Sequence, residues 1–396
     1  RPVFGSLFGI IGAVIGVPIA AAIGVVLPLN DRTTVALLIG AIGSFLTLMT
    51  LALLPVLQAQ LRMHWAVAGN MAGRLVTLGA TLGALGLGLG FKSIVWAQVL
   101  GIAVTFGVHV FAVARTVRIR PVVDPEYWRG LVVGSLVIGF AIGLSQIYFR
   151  VDTVLLALLR SSEEVGLYGA AYKFIELSQF TAAAVAVSMF PPLANFVATG
   201  DPRARGLVQK SFDVLLAGAV FLTVLMLAFP EEIITFTAGS DYRDAAVALQ
   251  LLAPYVLFGF VNAGLWRALL AAERDRTLLV TSGAVLALNV VLNIALIPEY
   301  GYKAAAVVSV VSEGLITVPI ALAVRRDGLL PGLGYAPTVV LAGGAMALVA
   351  WLVPGPVLVV GVLAGAVFFA ILVTAPGAVN DVARSLLPAW GRGAGR

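Results

Sequence analysis

The sequence of 396 residues contains no cysteine and only two histidines. Without thiols the chain can form neither disulfide bonds nor thiolate metal sites. His64 and His109 are far apart in the sequence, and neither has ligand-like neighbours. The composition therefore predicts no metal centre.

Motifs of enzymatic chemistry are also missing from the sequence. It contains no Walker-type phosphate loop, no Ser/His/Asp set and no paired histidines. The largest segment predicted outside the cytoplasm, Pro230 to Asp244, is too short to form a separate domain. We therefore predict a protein that is not an enzyme and that holds no organic cofactor.

Charged residues make up only 11% of the chain, whereas 61% is hydrophobic and the mean hydropathy is +1.05. Such values lie outside the range of soluble domains. Apolar runs of about twenty residues, enough to cross roughly 30 Å of hydrocarbon, recur throughout. The sequence predicts an all-α fold, a polytopic transmembrane helical bundle with two lobes around a central cavity. The predicted spans are 3–29, 34–57, 67–90, 93–114, 131–159, 164–199, 207–229, 245–271, 276–297, 303–324, 336–353 and 357–375.

Lysine and arginine residues are distributed asymmetrically between the two sides of the predicted membrane. With residue 1 in the cytoplasm, 16 of the 25 lie on the cytoplasmic side, five lie on the other side and four lie within spans. This bias follows the positive-inside rule and predicts a multi-pass protein of the cell (inner or cytoplasmic) membrane with both ends cytoplasmic. The topology also accounts for the pI near 9.8, so no nucleic-acid partner is predicted.

The polar segment at 116–130 is predicted to be a cytoplasmic connector between two lobes. The first lobe, 1–115, has four predicted spans, and the second, 131–326, has six. Residues 327–375 are predicted to add two C-terminal spans, and 376–396 a cytoplasmic tail. Transporters are commonly built from repeated halves. Because the chain also opens with Arg-Pro rather than Met, we expect the first lobe to lack two N-terminal spans.

Four charged side chains fall within predicted spans at the start of the second lobe. An ionised group in the bilayer interior costs about 2.5 kcal/mol or more, so it usually has a partner or a function. Lys173 and Glu176 are three residues apart and can pair on one helix face. Arg150 and Asp152 point to different faces. We expect Asp152 to pair with Lys173, which leaves Arg150 free to bind an anion through its planar fork.

Other polar side chains within predicted spans have several interpretations. Arg74 is the only deep cation of the predicted first lobe and can either face a cavity or extend towards the nearby cytoplasmic surface. Glu313 has no charged neighbour within its span, so it is a candidate for proton or cation coupling or the partner of a distant arginine. Asn289 and Asn293 are predicted to bond a neighbouring helix.

Two runs in the second lobe carry a resemblance to a known family. Tyr148-Phe-Arg-Val-Asp152-Thr-Val-Leu-Leu and Ser162-Glu-Glu-Val-Gly-Leu-Tyr-Gly-Ala-Ala-Tyr-Lys-Phe-Ile-Glu176 resemble the hairpin that opens the second lobe of polysaccharide flippases. These flippases belong to the multidrug/oligosaccharidyl-lipid/polysaccharide exporter superfamily. Members of the flippase family have two lobes around a central cavity and move polyprenyl-pyrophosphate-linked glycans to the outer leaflet by alternating access.

The resemblance implies a cationic route for the pyrophosphate. Arg150, Asp152 and Lys173 would line the second-lobe cavity and bind or gate this group, and Arg74 is a weaker counterpart in the first lobe. Glu313 is the candidate for coupling to H⁺ or Na⁺, and no other cofactor is expected. The candidate substrate-binding or gating residues are Arg150, Asp152, Lys173, Glu176, Arg74, Gln146 and Tyr148.

The leading hypothesis is a flippase for a polyprenyl-pyrophosphate-linked oligosaccharide in surface polysaccharide biosynthesis. Its partners would be the lipid-linked glycan, membrane lipids and a polysaccharide-assembly machinery. Flipping of lipid II, the peptidoglycan precursor, and cation-coupled multidrug antiport within the same superfamily are the alternatives. The antiport alternative would favour acidic cavity residues. A membrane polysaccharide polymerase or ligase would need a longer outer loop for its catalytic site.

Overall fold

The computed structural model describes residues 31–60, 62–115 and 148–374. Within these ranges the chain forms twelve α-helices, one short 3-10 helix and no strand, as predicted for an all-α fold. Eight of these helices are long and apolar enough to cross a membrane. Five features of the sequence prediction lie outside the described residues: the span at 3–29, the connector at 116–130, the part of the span at 131–159 that precedes residue 148, the tail at 376–396 and Gln146.

The described residues fall into two compact units, divided between Leu131 and Val132. The first unit contains helices α1 (Asp31–Ala59), α2 (Met63–Gly86) and α3 (Phe91–Ala114). These bounds lie within a few residues of the predicted spans, because long apolar runs leave little choice of register in a membrane. The buried core of this unit consists of Leu53, Val56, Leu57, Ala66, Ala112 and Val113.

Helices α2 and α3 approach each other closely at two glycines. A Cβ atom on Gly73 would lie 2.5 Å from the carbonyl oxygen of Gly101, and one on Gly101 would lie 2.6 Å from the carbonyl oxygen of Gly73. Any larger residue would therefore push the two backbones apart. In lipid, where apolar side chains gain little from leaving their solvent, such close van der Waals contact is a main source of helix association.

Within the described residues, the second unit contains nine α-helices. A 3-10 helix, Ser240–Tyr242, follows the fourth of them. Helix α5 begins after Ser161, whose side chain accepts a hydrogen bond from the backbone N–H of Glu164 at 3.4 Å and so caps the helix. The helices are α4 (Val151–Leu159), α5 (Ser162–Ala198), α6 (Arg203–Ala228), α7 (Pro230–Ala238), α8 (Ala245–Ala271), α9 (Asp275–Tyr300), α10 (Tyr302–Arg326), α11 (Ala336–Leu352) and α12 (Val357–Thr374).

Helix α8 is the centre of the second unit and packs against α5, α6 and α10. Its buried face alternates small and large side chains, with Ala248 and Ala253 beside Leu249 and Leu252, all fully buried. Small residues bring the neighbouring helices close, and the leucines fill the space between them. The site described below is built where α5 and α10 pack against this helix.

The turns at one end of the second unit are joined by side chains. Gly301 connects α9 to α10 with a φ of 58°, which favours glycine. Next to it, the Glu164 carboxylate accepts a bond from the backbone N–H of Tyr302 at 3.0 Å and one from Nε of Arg160 at 2.7 Å. Arg160 also donates to the carbonyl oxygen of Pro298 at 3.2 Å. These bonds tie the α4–α5 turn to the α9–α10 turn.

The segment from Pro230 to Asp244, predicted as an outer loop, is mostly helical. Helix α7 starts with Pro230. Proline lacks a backbone N–H, but no hydrogen bond is lost at this position because the first N–H of a helix has no intrahelical partner. Glu231 and Glu232 occupy the first turn, where the positive end of the helix favours carboxylates. Glu231 also accepts a bond from Nε of Arg243 at 2.8 Å, which holds the segment against the following turn.

We predict that Gly73→Ala destabilises the protein in detergent by about 1–3 kcal/mol, because the added methyl group overpacks the α2–α3 contact. Thermal unfolding in detergent measures this loss. Gly79→Ala on the same helix is the matched control, since no described atom lies within 4 Å of its Cβ position. Alanine favours helix over glycine by about 1 kcal/mol at both sites, so Gly79→Ala should be neutral or stabilising. Equal effects of the two substitutions would contradict the packing argument.

Candidate functional site

The second unit has a helical break at its polar site. Helix α4 begins at Val151, after a turn formed by Phe149 and Arg150. The Phe149 carbonyl oxygen accepts a hydrogen bond from the Tyr172 hydroxyl of α5 at 3.2 Å. Irregular backbone at membrane depth is tolerated where its polar groups are satisfied within the protein. Tyr172 thereby fixes the segment that carries Arg150.

Arg150, Lys173 and Glu176 form one ion group. Nη2 of Arg150 lies 2.7 Å from one Glu176 carboxylate oxygen, and Nζ of Lys173 lies 2.9 Å from the other. The side chains of Arg150 and Lys173 are 60% and 75% exposed, against 30% for Glu176. Two exposed cations thus share one carboxylate, which leaves a net charge of +1. The prediction that Lys173 and Glu176 pair is confirmed.

The other predicted pairing was wrong. Asp152 does not bond to Lys173, and Arg150 is paired with Glu176 rather than free. Lys173 is exposed on α5 whereas Asp152 is 3% exposed, so the two side chains occupy different environments. The sequence spacing placed both residues on one hairpin but did not reveal which faces of α4 and α5 point towards solvent.

A cavity of about 250 Å³ opens beside the ion group, between α5 and α8. Arg150 and Phe149 border it on one side, and Tyr255 of α8 borders it on the other. Helix α5 contributes a single face, because its lining positions are three or four residues apart. These α5 residues are Tyr172, Ile175, Glu176 and Gln179.

Asp152 is buried in a network of hydroxyl groups. One carboxylate oxygen accepts a bond from the backbone N–H of Thr153 at 2.7 Å. The other accepts a short hydrogen bond from the Tyr168 hydroxyl and lies 3.0 Å from Oγ of Ser309 on α10. No lysine or arginine of the described residues pairs with this carboxylate. Asp152 therefore links α4 to α5 and α10 through neutral donors.

Glu313 forms a second buried carboxylate group, one turn from Ser309 on α10. It is 7% exposed and accepts bonds from Nδ2 of Asn262 at 2.8 Å and from the Tyr148 hydroxyl at 3.1 Å. The Asn262 amide also donates to the backbone oxygen of Glu313 at 3.0 Å. In the part of the chain that the structure describes, no cation pairs with Glu313 either. The sequence left two interpretations of Glu313, ion coupling or pairing with a distant arginine. No arginine partner is found among the described residues.

A third set of polar groups joins α9 to α10. Nδ2 of Asn289 donates to Oγ of Ser312 at 3.0 Å, and Nδ2 of Asn293 donates to Oδ1 of Asn289 at 2.9 Å. The prediction that these asparagines bond a neighbouring helix is confirmed for Asn289. Ser309, Ser312 and Glu313 thus lie on one face of α10, and each forms a hydrogen bond with a different neighbouring helix.

Arg74 lies in the first unit and is exposed near the middle of α2, deeper than predicted because α2 begins at Met63. It lines a cavity of about 680 Å³ within that unit. No carboxylate of the described residues pairs with it. The other polar side chains around this cavity are uncharged: Thr47, Thr50, Asn70, Thr77, Thr81, Gln98 and Thr105.

Comparison with known proteins points to a superfamily. A family described as "Polysaccharide biosynthesis protein" matches residues 4–197, and the family MatE matches residues 138–295. The two matches overlap across the hairpin that carries Arg150 and Glu176. Together the two matches extend from residue 4 to residue 295, and over this part the chain resembles the multidrug/oligosaccharidyl-lipid/polysaccharide exporter superfamily.

One described protein and one solved structure resemble this chain over much of its length. The protein described as "Probable low-salt glycan biosynthesis flippase Agl15" from Haloferax volcanii is 22% identical over 270 residues, which cover 66% of this chain. The chain spans 55% of the length of that relative. A solved structure, "Lipid II flippase MurJ, inward closed conformation", has a TM-score of 0.72 at 14% identity and covers 95% of this chain and 81% of that chain. The chain therefore has a MurJ-like fold.

Several residues of the polar site were not predicted from the sequence. Tyr168 and Tyr172 belong to the resembling run but had no assigned role, and Asn262 and Ser309 were not considered. Their signal was a helical spacing: Tyr168 and Tyr172, like Ser309 and Glu313, are four residues apart and share a face. Polar pairs of this kind on an apolar helix indicate an inward face.

We predict that Tyr168→Phe destabilises the protein by about 1–3 kcal/mol, because it removes a donor from the buried Asp152 carboxylate. Thermal unfolding in detergent is the measurement. Tyr300→Phe removes the same hydroxyl from a side chain that is 57% exposed and should change stability by less than about 0.5 kcal/mol. A Tyr168→Phe protein as stable as Tyr300→Phe would argue against the network.

Proposed function

We propose that this chain moves a polyprenyl-pyrophosphate-linked oligosaccharide from the cytoplasmic to the outer leaflet of the cell membrane by alternating access. The observation that carries the proposal is the ion group of Arg150, Lys173 and Glu176 at the mouth of a cavity. Its net positive charge and exposed guanidinium suit a diphosphate. Resemblance to a superfamily of exporters supports the same conclusion.

The chemistry of such a substrate explains why a cationic route is needed. A pyrophosphate attached to sugars is strongly hydrated, and its transfer into hydrocarbon without partners is prohibitively costly. The Arg150 guanidinium has five N–H donors, and one of its nitrogens, Nη2, contacts Glu176. The remaining donors can replace water around phosphate oxygens. The polyprenyl tail can remain in the bilayer beside the protein.

The cavity of the first unit supports a role for Arg74 as a second cationic contact. The threonine, asparagine and glutamine side chains around it can exchange hydrogen bonds with sugar hydroxyls. At about 680 Å³ its volume falls within the range of small-molecule sites. We propose that neutral polar surfaces of this kind bind saccharide groups, and that each of the two arginines offers a phosphate contact within its own unit.

The buried carboxylate of Glu313 supports ion coupling as part of this function. A carboxylate at membrane depth without a cationic partner among the described residues is a candidate for reversible protonation. Its contacts, Asn262 and Tyr148, are neutral donors. We propose that inward movement of H⁺ through Glu313 drives export, with Na⁺ as the alternative ion.

Lipid II flipping is the nearest alternative, because lipid II has the same pyrophosphate and differs in its sugars. Cation-coupled antiport is favoured by one observation, the two buried carboxylates Asp152 and Glu313. The exposed charge, by contrast, is predominantly positive, and it would repel an organic cation. We further propose cytoplasmic ends for the chain and contact with a polysaccharide-assembly machinery, which would supply or consume the glycan.

We predict that Arg150→Gln lowers the rate of translocation of a fluorescent polyprenyl-pyrophosphate oligosaccharide in proteoliposomes at least about tenfold. The expected loss follows because a hydrogen bond to a charged group contributes about 1.5–3 kcal/mol, and about 1.4 kcal/mol corresponds to tenfold. Accessibility of the fluorophore to a membrane-impermeant quencher measures the rate.

Arg205→Gln is the matched control, because Arg205 is exposed and no contact holds it in the described residues. It should retain the rate of the unsubstituted protein. Parallel assays with lipid II and with an organic cation separate the alternatives. Efflux of the cation without movement of either lipid would contradict the proposed function and favour antiport.

We predict that Glu313→Gln abolishes the dependence of translocation on an imposed proton gradient, because glutamine keeps the hydrogen-bonding shape but cannot bind and release a proton. The measurement is the ratio of translocation rates with and without the gradient. Glu163→Gln removes an exposed carboxylate of α5 and should leave the ratio unchanged. A gradient effect that persists in Glu313→Gln would exclude Glu313 as the coupling group.

A further inference from the structure

Glu176 occupies an unusual place for an acidic residue in a site that should bind an anion. Its two carboxylate oxygens face Arg150 at 2.7 Å and Lys173 at 2.9 Å, so it contacts both cations of the group. It also lines the cavity together with Arg150. A carboxylate in this position competes directly with a phosphate for the same donors.

We propose that Glu176 is a specificity-determining residue that lets the Arg150–Lys173 pair accept a diphosphate and reject singly charged phospholipid headgroups. The inference rests on the proposed function. It extends that function by naming the group that distinguishes the substrate from the anionic lipids that surround it.

The argument follows from charge. Arg150 and Lys173 without Glu176 would present two positive charges on side chains that are 60% and 75% exposed. A phosphodiester with one negative charge would bind such a pair, and phospholipids are present at far higher concentration than any lipid-linked intermediate. Specificity is a difference in affinities. Glu176 therefore creates specificity only if its displacement is offset better by a diphosphate than by a singly charged headgroup.

Glu176 neutralises one of the two positive charges. A singly charged headgroup that displaces it only exchanges one anion for another and gains little. A diphosphate carries more negative charge and more acceptor oxygens, so it can engage both cations and outweigh the loss of the internal contacts. The Glu176 side chain is only 30% exposed. It therefore stays beside the cavity after a ligand has displaced its carboxylate from the two cations.

The alternative role for Glu176 is positional, in which it only holds Arg150 and Lys173 in place for the ligand. The two roles predict opposite effects of Glu176→Gln. Loss of a competitor strengthens binding of a diphosphate, whereas loss of a positioning group weakens it. The sign of the change therefore decides between them.

The test measures binding of fluorescent geranylgeranyl pyrophosphate to the full chain in nanodiscs of phosphatidylcholine, with or without one quarter phosphatidylglycerol. In phosphatidylcholine we expect Glu176→Gln to tighten binding about twofold to fivefold, the upper part of the range for removal of an exposed ion pair. Phosphatidylglycerol should weaken binding to this variant much more than binding to the unsubstituted protein.

Glu163→Gln is the matched control, because it removes the same charge from an exposed position of the same helix. It should bind as the unsubstituted protein does in both lipid mixtures, so the general surface potential of phosphatidylglycerol is accounted for. The double variant Arg150→Gln/Glu176→Gln should lose the gain in affinity. Displacement by inorganic pyrophosphate tests whether the headgroup alone is recognised or the attached lipid is needed.

Weaker binding by Glu176→Gln in phosphatidylcholine would overturn the inference, as would an equal phosphatidylglycerol effect on all proteins or no binding by the unsubstituted chain. Thermal unfolding of each variant ensures that only folded protein is compared. The translocation assay is separate. A chain that binds with the expected selectivity but moves no lipid would contradict the proposed function and leave the selectivity of Glu176 established.

Discussion

A polar group buried among apolar helices must find hydrogen-bond partners within the protein, because lipid offers none. In the second unit, one face of α10 supplies such partners to three neighbouring helices. Ser309 reaches Asp152 of α4, Ser312 reaches Asn289 of α9, and Glu313 reaches Asn262 of α8. These bonds specify which helices surround α10 and in what rotation, which apolar packing alone does weakly. The position of the helical break before α4, and hence of the cavity, depends on this face.

The polar site of the second unit keeps two carboxylates buried and two cations exposed. Asp152 and Glu313 are buried and contact only neutral donors among the described residues, whereas Arg150 and Lys173 are exposed around Glu176. A buried carboxylate can bind a proton or a metal cation, and an exposed arginine can bind phosphate. One helical bundle therefore holds groups suited to an ion and groups suited to a headgroup, without the two sets neutralising each other.

Most helix boundaries were predictable from the sequence, because an apolar run of membrane length determines where a span can lie. The helical character of Pro230 to Asp244 was not, since short helices lack such a run. In the site, Lys173 and Glu176 were predicted to pair because their contact is local. The partner of Asp152 on α10, Ser309, lies 157 residues away, and local spacing carries no information about which helix faces meet across that distance.

The two sets of groups meet in the segment that precedes α4. The Tyr148 hydroxyl donates to Glu313, the Phe149 carbonyl accepts from Tyr172, and Arg150 pairs with Glu176. Three consecutive residues thus contact the buried carboxylate, the cavity wall and the ion group in turn. Protonation of Glu313 would change the hydrogen bond that Tyr148 makes, and Tyr148 is two residues from the arginine proposed to bind substrate. Because a turn is less rigid than a continuous helix, a change at Glu313 can reach Arg150 through this segment. The segment would thereby connect the proposed ion coupling to the proposed headgroup binding.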